Sequence, residues 1–250
     1  NSPVLGYNSK DDIVYQFWAN RDSHEVYYFD PKTDYAPTTA ISSISWDDPN
    51  FPNIEGFGVW AAKCNFTMGP DGKMYSRMLG GNLVRIDVEN ARGENLTNGD
   101  LVGTKDGSAY GLVFGPQDEN VFYFSNNDKH CIYKYDLRTK ECACWAGQEG
   151  KSGYLDGPIG QAMFNKPGQM CVDSEGNIIL TDTENHCIRK ITMSTGYVST
   201  LAGKPQNSGY VNGSAEDAQF KKPLGICIDN DDVMYIGDSE NRAIRRLAVE

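Results

Sequence analysis

The chain has 250 residues, 39% of them hydrophobic, and its 23 basic residues against 34 acidic ones give a formal charge of −11 at pH 7. A chain of this length and apolar content can bury one sizeable core, and no apolar run approaches the roughly 20 residues of a transmembrane helix. The acidic balance repels a phosphate backbone and no long basic cluster is present, so we expect no nucleic acid partner.

In chain order, the sequence divides into five blocks of short apolar runs separated by turn residues. β-branched and aromatic residues fill the runs, and no apolar spacing of three and four persists beyond two turns, so strands are predicted instead of helices. Single helical turns are expected only in the stretches 157–164 and 214–220. The blocks span about 4–45, 58–105, 109–146, 165–203 and 221–250.

The sequence pattern of the fourth block is repeated in the fifth, 56 residues later. Residues 165–191 and 221–247 agree at many equivalent positions, among them Pro167 and Pro223, and the connections that precede the two blocks agree as well. Self-similarity at a fixed period indicates small units that share their cores with their neighbours.

Each block is predicted to be a meander of four antiparallel strands. In the fourth block, two apolar runs flank Ser174, Glu175 and Gly176, a glycine-containing turn typical of a β-hairpin, and two further runs follow. Units of this kind in series are typical of a β-propeller, whose blades pack face to face around a channel.

The fourth and fifth blocks resemble NHL repeats. The features shared with that family include a proline before the first strand, an Asp-bounded hairpin, an aspartate that ends the second strand (Asp182 and Asp238) and an Asn-x-x-Ile turn. The resemblance implies an all-β propeller of four-stranded blades over residues 1–250, with five blades evident and a six-bladed ring when intact. On this basis we expect a sixth blade upstream of Asn1.

The resemblance extends to NHL-repeat surface proteins of gut anaerobes, which are often lipid-anchored and carry an IPT/TIG domain ahead of the propeller. It implies an extracytoplasmic location, at the cell surface or in the periplasm. It also implies the capture of glycans or other nutrients.

The cysteines and histidines at first suggest a metal or catalytic site. Cys171 and Cys227 occupy equivalent positions in different blades, as do Cys131 and Cys187, so we expect buried, structural thiols. The three histidines share one repeat position partway along a blade, where packing or hydrogen bonding between blades is expected. We predict no catalytic residue, no metal ligand and no cofactor, with calcium left as an open possibility.

The candidate ligand-binding residues are aromatic and polar side chains in connections and turns that the family places on one face. Residues 46–60 break the repeat and hold aromatic rings among carboxylates, an arrangement that suits stacking on sugars. The aspartates and asparagines could instead bind the backbone of their own turns. The candidates are Trp46, Phe51, Trp60, Tyr154, Tyr210, Asp182, Asn185, Asp238 and Asn241.

Two functions remain open at this point. The favoured one is a non-enzymatic module that binds a small molecule, a glycan or another protein outside the cytoplasm. The alternative is a hydrolase or lyase with a Ca²⁺ or Zn²⁺ ion in the propeller channel, which would need inward Asp, Asn, Glu or His side chains from several blades. The oligomeric state is left open by the sequence.

Overall fold

The computed structural model describes residues 4–8, 13–19, 24–41, 45–46, 67–77, 83–96 and 110–248. The chain consists of two compact units, residues 1–108 and 109–250, which are taken in turn. In the described ranges the structure is built from strands and a few single helical turns, and none of its helices has the length and apolar character needed to cross a membrane.

Unit 1 contains two sheets in its described part. The first has the order β1-β2-β3-β4 and the second the order β5-β9-β8-β7-β6, in which β5 runs parallel to β9. The strands are β1 (Val4–Asn8), β2 (Ile13–Ala19), β3 (His24–Phe29), β4 (Pro37–Ile41), β5 (Ser45–Trp46), β6 (Thr67–Met68), β7 (Met74–Arg77), β8 (Leu83–Asp87) and β9 (Arg92–Asn95).

Unit 2 contains three sheets in its described part, with the orders β10-β11-β12-β13, β14-β18-β17-β16-β15 and β19-β20-β21. The first two sheets have strands β10 (Leu112–Gly115), β11 (Asp118–Asn126), β12 (Cys131–Asp136), β13 (Cys142–Gly147), β14 (Gly157–Pro158), β15 (Pro167–Val172), β16 (Ile178–Asp182), β17 (Cys187–Thr192) and β18 (Tyr197–Ala202). The third has β19 (Pro223–Ile228), β20 (Met234–Asp238) and β21 (Ala243–Leu247).

These meanders confirm the predicted all-β propeller class, while the number of blades in the intact ring stays a prediction. The repeat is also kept in register, because Pro167 pairs with Asp182 in one blade and Pro223 pairs with Asp238 in the next. The predicted hairpin turn lies between β15 and β16, where the Asp173 carboxylate accepts a 2.7 Å bond from the Asn177 N–H.

The core of unit 2 lies between successive sheets. One cluster of fully or nearly fully buried side chains joins β16 and β17 of the fourth blade to β19 and β20 of the fifth. Each such aliphatic or aromatic side chain contributes about 1.5–3 kcal/mol by leaving water. The buried members of this cluster are Ile179, Ile188, Ala202, Ala218, Phe220, Ile226, Met234 and Ile236.

Adjacent blades are also joined by hydrogen bonds from the end of β16 and the turn after it to the start of β19. The hydroxyl of Thr181 donates to the Leu224 carbonyl (2.9 Å), and the hydroxyl of Thr183 donates to the Pro223 carbonyl (2.8 Å). Gly168 lies at this junction, where an added Cβ would come 2.9 Å from the Leu224 carbonyl oxygen and would also contact Thr181. The approach of the two blades therefore requires a residue without a side chain.

We expect Gly168→Ala to lower the free energy of unfolding by about 1–3 kcal/mol, because the new methyl group overpacks this junction. Gly160→Ala is the matched control, since a Cβ at Gly160 meets nothing within 4 Å. Urea unfolding of both variants measures the difference. Equal midpoints for the two would show that the junction tolerates separation.

Candidate functional site

The connections that precede the fourth and fifth blades, residues 147–164 and 203–220, fold alike. In the first, the Gly153 N–H donates to the Phe164 carbonyl over 3.0 Å, and the equivalent bond 56 residues later has the same length. Each also contains a turn closed by a backbone bond, from the Ala162 N–H to the Pro158 carbonyl and from the Ala218 N–H to the Ser214 carbonyl. Each connection is therefore a loop whose two halves are joined by a backbone hydrogen bond. The short helices of the described residues lie instead at Pro31–Thr33, Thr183–Asn185 and Ser239–Asn241, so the prediction of helical turns only in the connections is wrong.

The turn between β16 and β17 lies between these two connections. The side-chain amide of Asn185 donates to the Gly153 carbonyl in the first connection (2.8 Å). Its backbone carbonyl accepts from the Gln206 N–H in the second (2.8 Å). Within unit 2, turns and connections therefore share one face, which the sequence comparison with the family predicts.

Asp182 is the buried anchor of this turn. Its carboxylate accepts bonds from the Asn165 N–H (2.8 Å), the Asn185 amide (2.9 Å) and the Arg189 guanidinium (2.7 Å). Burial raises the pKa of Asp182 to about 6, against the opposing effect of Arg189. The carboxylate is thus ionised at neutral pH and forms an ion pair with no exposed surface on either side chain.

Arg189 ties the preceding connection to strand β17. Its guanidinium donates to the Leu155 carbonyl (2.9 Å) and to the Asp156 carboxylate (2.6 Å). It also lies over the ring of Tyr154 at 4.9 Å and that of Phe164 at 5.2 Å. Because the guanidinium is planar and always charged, one side chain satisfies the loop backbone, the carboxylates and the rings together.

The fifth blade repeats this arrangement. Arg245 donates to Asp238 (2.9 Å) and to the Val211 carbonyl (2.6 Å), and it lies over the Tyr210 ring at 4.9 Å. Asn212 takes the place of Asp156 and accepts two bonds from the guanidinium. We refer to the two sets, Asp182 with Arg189 and Asp238 with Arg245, as the Asp–Arg frames.

The predicted polar site residues are the two aspartates of these frames and the two asparagines that donate to those aspartates. Asp182 and Asp238 have no exposed surface, and Asn185 and Asn241 donate to connection backbone and to their own aspartates. This is the backbone-binding arrangement that the sequence leaves open beside ligand binding. A direct role for these four residues in ligand binding stays a prediction, and the function proposed below does not use it.

The predicted aromatic residues differ in exposure. Tyr210 is 60% exposed, with the Arg245 guanidinium on one side of its ring. Tyr154 is half-buried, and its hydroxyl forms a 2.8 Å hydrogen bond with the hydroxyl of Thr200. Trp46 belongs to strand β5. Phe51 and Trp60 lie outside the described residues.

Sequence reasoning misses the role of the two arginines. A signal is present, because Arg189 and Arg245 each follow the blade aspartate by seven residues, inside a strand whose other members are largely apolar. A charged residue at that place, in both copies, indicates a paired group in the interior. The third blade has Tyr133 at the equivalent position, so the frame is not a feature of every blade.

The histidines bind between blades, as expected. The Nδ1 atom of His130 accepts from the Lys166 N–H (3.1 Å), and that of His186 accepts from the Lys222 N–H (3.2 Å). Burial lowers the pKa of His130, the charge of Lys166 lowers it further, and Asp128 opposes both. The side chain of His24 lies outside the described part of the structure.

The cysteines that the structure describes are free thiols, namely Cys131, Cys142, Cys144, Cys171, Cys187 and Cys227. Cys131 and Cys187 are buried as predicted, whereas Cys227 is exposed, so the prediction of burial is wrong at that position. Burial raises the pKa of Cys171 and of Cys187. Among the described residues, no group of three or more His, Cys, Asp or Glu side chains has the arrangement to hold a metal ion. Cys64 lies outside these residues, and the open possibility of calcium is untested.

Replacement of Arg189 by Met should lower the free energy of unfolding by about 3–5 kcal/mol, because it leaves the Asp182 carboxylate buried without its cation. Arg138→Met is the control, since the Arg138 side chain is 55% exposed in its ion pairs and its loss should change stability little. Chemical denaturation compares the two. Similar midpoints would show that the buried pair adds no more than a surface pair.

The imidazole of His130 should lower the stability of the fold as the pH drops below about 6.5, the usual pKa of an unfolded histidine, whereas the raised pKa of Asp182 acts in the opposite direction below about pH 6. Because the pKa of His130 is lowered in the folded chain, the unfolded chain binds the proton first, and the protonated Nδ1 can no longer accept from Lys166. His130→Asn keeps an acceptor at a backbone position with φ 57°. The urea midpoint of the parent chain should fall relative to that of this variant as the pH is lowered from 8 to 5, because the Asp182 contribution is common to both chains. An unchanged slope would contradict the assignment.

The comparisons with known proteins agree with this architecture. Residues 164–191 match the family model of the NHL repeat. The chloroplastic protein SUPPRESSOR OF QUENCHING 1 of Arabidopsis thaliana is 25% identical over 262 residues, which cover 97% of this chain and 24% of that protein. The chain therefore spans about a quarter of the length of this relative.

Solved structures share the fold over nearly the whole chain. A Bacteroides thetaiotaomicron protein of unknown function superimposes with a TM-score of 0.81 at 24% identity, and an auxiliary nutrient binding protein of the same organism with 0.72 at 23%. Each match covers 98% of this chain and 58% of the other. Residues 164–191 thus match the NHL repeat, and the chain shares the β-propeller fold of these Bacteroides proteins.

Proposed function

We propose that the chain is a non-enzymatic, extracytoplasmic binding module that captures a glycan or a related nutrient on the face formed by its connections. The observation that carries the proposal is the setting of Tyr210, which is 60% exposed while Arg245 supports one side of its ring. The fold does not need so large an apolar surface in water. A ring held in this way is suited to stacking on a sugar.

The support from beneath matters for affinity. A side chain that is already ordered loses little conformational freedom when it binds, so more of the contact energy appears as affinity. Arg245 is 8% exposed and forms an ion pair with Asp238. Asp238 thus orders the Arg245 guanidinium, and the guanidinium orders the Tyr210 ring that lies against it.

Charge and resemblance favour the same class of ligand. With a formal charge of −11, the chain disfavours phosphorylated and other anionic ligands and favours neutral or cationic ones. The structural neighbour named as an auxiliary nutrient binding protein supports nutrient capture and a location outside the cytoplasm. Tyr154 of the preceding connection is proposed as a further ligand contact, and Trp46, Phe51 and Trp60 stay predicted ligand-binding residues.

The proposal predicts that Tyr210→Ala weakens binding to glycans selected on an array by about tenfold, the factor that corresponds to about 1.4 kcal/mol, in the range of aromatic contacts. Tyr197→Ala is the matched control. Tyr197 is 47% exposed and begins β18, at the end of the sheet away from the turn Thr183–Asn185. Titration calorimetry with the best glycan compares both variants with the parent chain.

Retention of full affinity by Tyr210→Ala, with Trp46→Ala and Trp60→Ala also unchanged, would contradict the proposal. The same preparations can be incubated with lactone and peptide substrates, with and without added Ca²⁺ or Zn²⁺. Turnover that depends on the metal would support the alternative of a propeller hydrolase or lyase.

A further inference from the structure

The connection before the fifth blade contains a chemically reactive pair, Asn212 followed by Gly213. In the fourth blade the equivalent pair is Asp156 and Gly157, so the two copies differ by one amide in place of one carboxylate. Asn-Gly pairs are prone to deamidation, because the backbone nitrogen of glycine can approach the asparagine side chain without steric hindrance. This difference between two otherwise matched loops calls for a comparison of their surroundings.

The Asn212 amide is polarised by the arginine of its frame. Arg245 donates to the Asn212 Oδ1 atom from Nε (3.1 Å) and from Nη2 (2.8 Å). Two charge-assisted donors on a carbonyl oxygen draw electrons from the attached carbon and stabilise an oxyanion that forms there. The arrangement therefore activates Cγ of Asn212 toward a nucleophile.

The nucleophile and the water needed afterwards are both accessible. Gly213 is exposed, belongs to no strand, and its N–H forms no hydrogen bond with any part of the chain that the structure describes. Its counterpart Gly157 instead lies in β14 and pairs with Val198 of β18. Asn212 is also exposed, so solvent reaches the reacting groups.

We propose that Asn212 is a self-modifying site, at which Arg245 promotes deamidation to a carboxylate. A hydroxide ion from solvent takes the proton of the Gly213 nitrogen and becomes water, which can return a proton to the departing amide nitrogen. The deprotonated Gly213 nitrogen attacks Cγ of Asn212, and Arg245 stabilises the oxyanion that results. The C–N bond to the side-chain amide then breaks, ammonia leaves with the proton it needs, and a cyclic imide remains. Water adds to either carbonyl of the imide and opens it to aspartate or to isoaspartate.

The aspartate product would form an ion pair with Arg245. Its carboxylate would have the position relative to Arg245 that the Asp156 carboxylate has relative to Arg189. The distance from Arg189 Nη2 to Asp156 Oδ1 is 2.6 Å. The modification thus converts the fifth-blade frame from one carboxylate partner to two. The isoaspartate product instead lengthens the backbone by one carbon and displaces the loop that carries Tyr210.

The test is the rate of mass gain at Asn212, followed by peptide mass spectrometry at pH 8, in the folded chain and in the same chain unfolded in urea. Folding usually slows deamidation, so the proposal predicts the opposite order, with the folded rate at least severalfold higher. The second Asn-Gly pair of the chain, Asn98 and Gly99, reports the ordinary unfolded rate in each urea sample. A folded rate at Asn212 equal to or below the unfolded rate would overturn the proposal.

Two variants separate the contributions. Arg245→Lys keeps a cation beside Asp238 but loses the two hydrogen bonds to Asn212 Oδ1. Circular dichroism checks that this variant is folded, and its deamidation rate at Asn212 should then fall severalfold. An unchanged rate would contradict the role of Arg245. Asn212→Asp should raise the melting temperature by about 2–4 °C through the added ion pair. A lower melting temperature would contradict the proposed fit of the product.

Discussion

The structure of unit 2 depends on a carboxylate and a guanidinium that are buried together. Asp182 and Arg189 have no exposed surface, and between them they bind a turn, a strand and a loop that are distant in sequence. Two charges removed from water are costly unless their remaining hydrogen-bonding groups find partners. Here the connection supplies the Leu155 and Met163 carbonyls and the Asp156 carboxylate, so the connection must fold for the ion pair to be tolerated. The Nε atom of Arg189 has no hydrogen-bond partner in the described part of the chain.

This coupling explains why a long loop can present a ligand surface. Loops generally sample many conformations, and an exposed ring on such a loop would bind weakly. The frame places a fixed guanidinium under Tyr210, and the loop backbone is bonded to that same group. The third blade has Asn126 and Tyr133 at the frame positions, so it has no ion pair there.

The sequence predicts the architecture better than the site. The 56-residue repeat, the hairpin at Gly176 and the inter-blade histidines follow from patterns that a repeat makes visible, because each is present more than once. The burial of Asp182 does not follow, since its partner Arg189 lies on another strand and the loop groups that complete the pair have no side-chain signature. Any residue type provides a backbone carbonyl, so the sequence cannot show which carbonyls the arginines bind. The sequence also does not show that Tyr210 is exposed and Tyr154 half-buried, because that difference depends on the surroundings of each loop.

Hydrogen exchange of the connection amides tests the central claim most directly. In the parent chain, the amides of Gly153 and Gly209 should both be protected. In Arg189→Met, protection should be lost across residues 147–164 and retained across 207–220, because Arg189 donates to the first connection and Arg245 to the second. Gln206 is left out of the comparison, because its N–H donates to Asn185, which in turn donates to Asp182. Equal protection of 147–164 with and without the guanidinium would show that the loop folds independently of the ion pair, and the account would then be wrong.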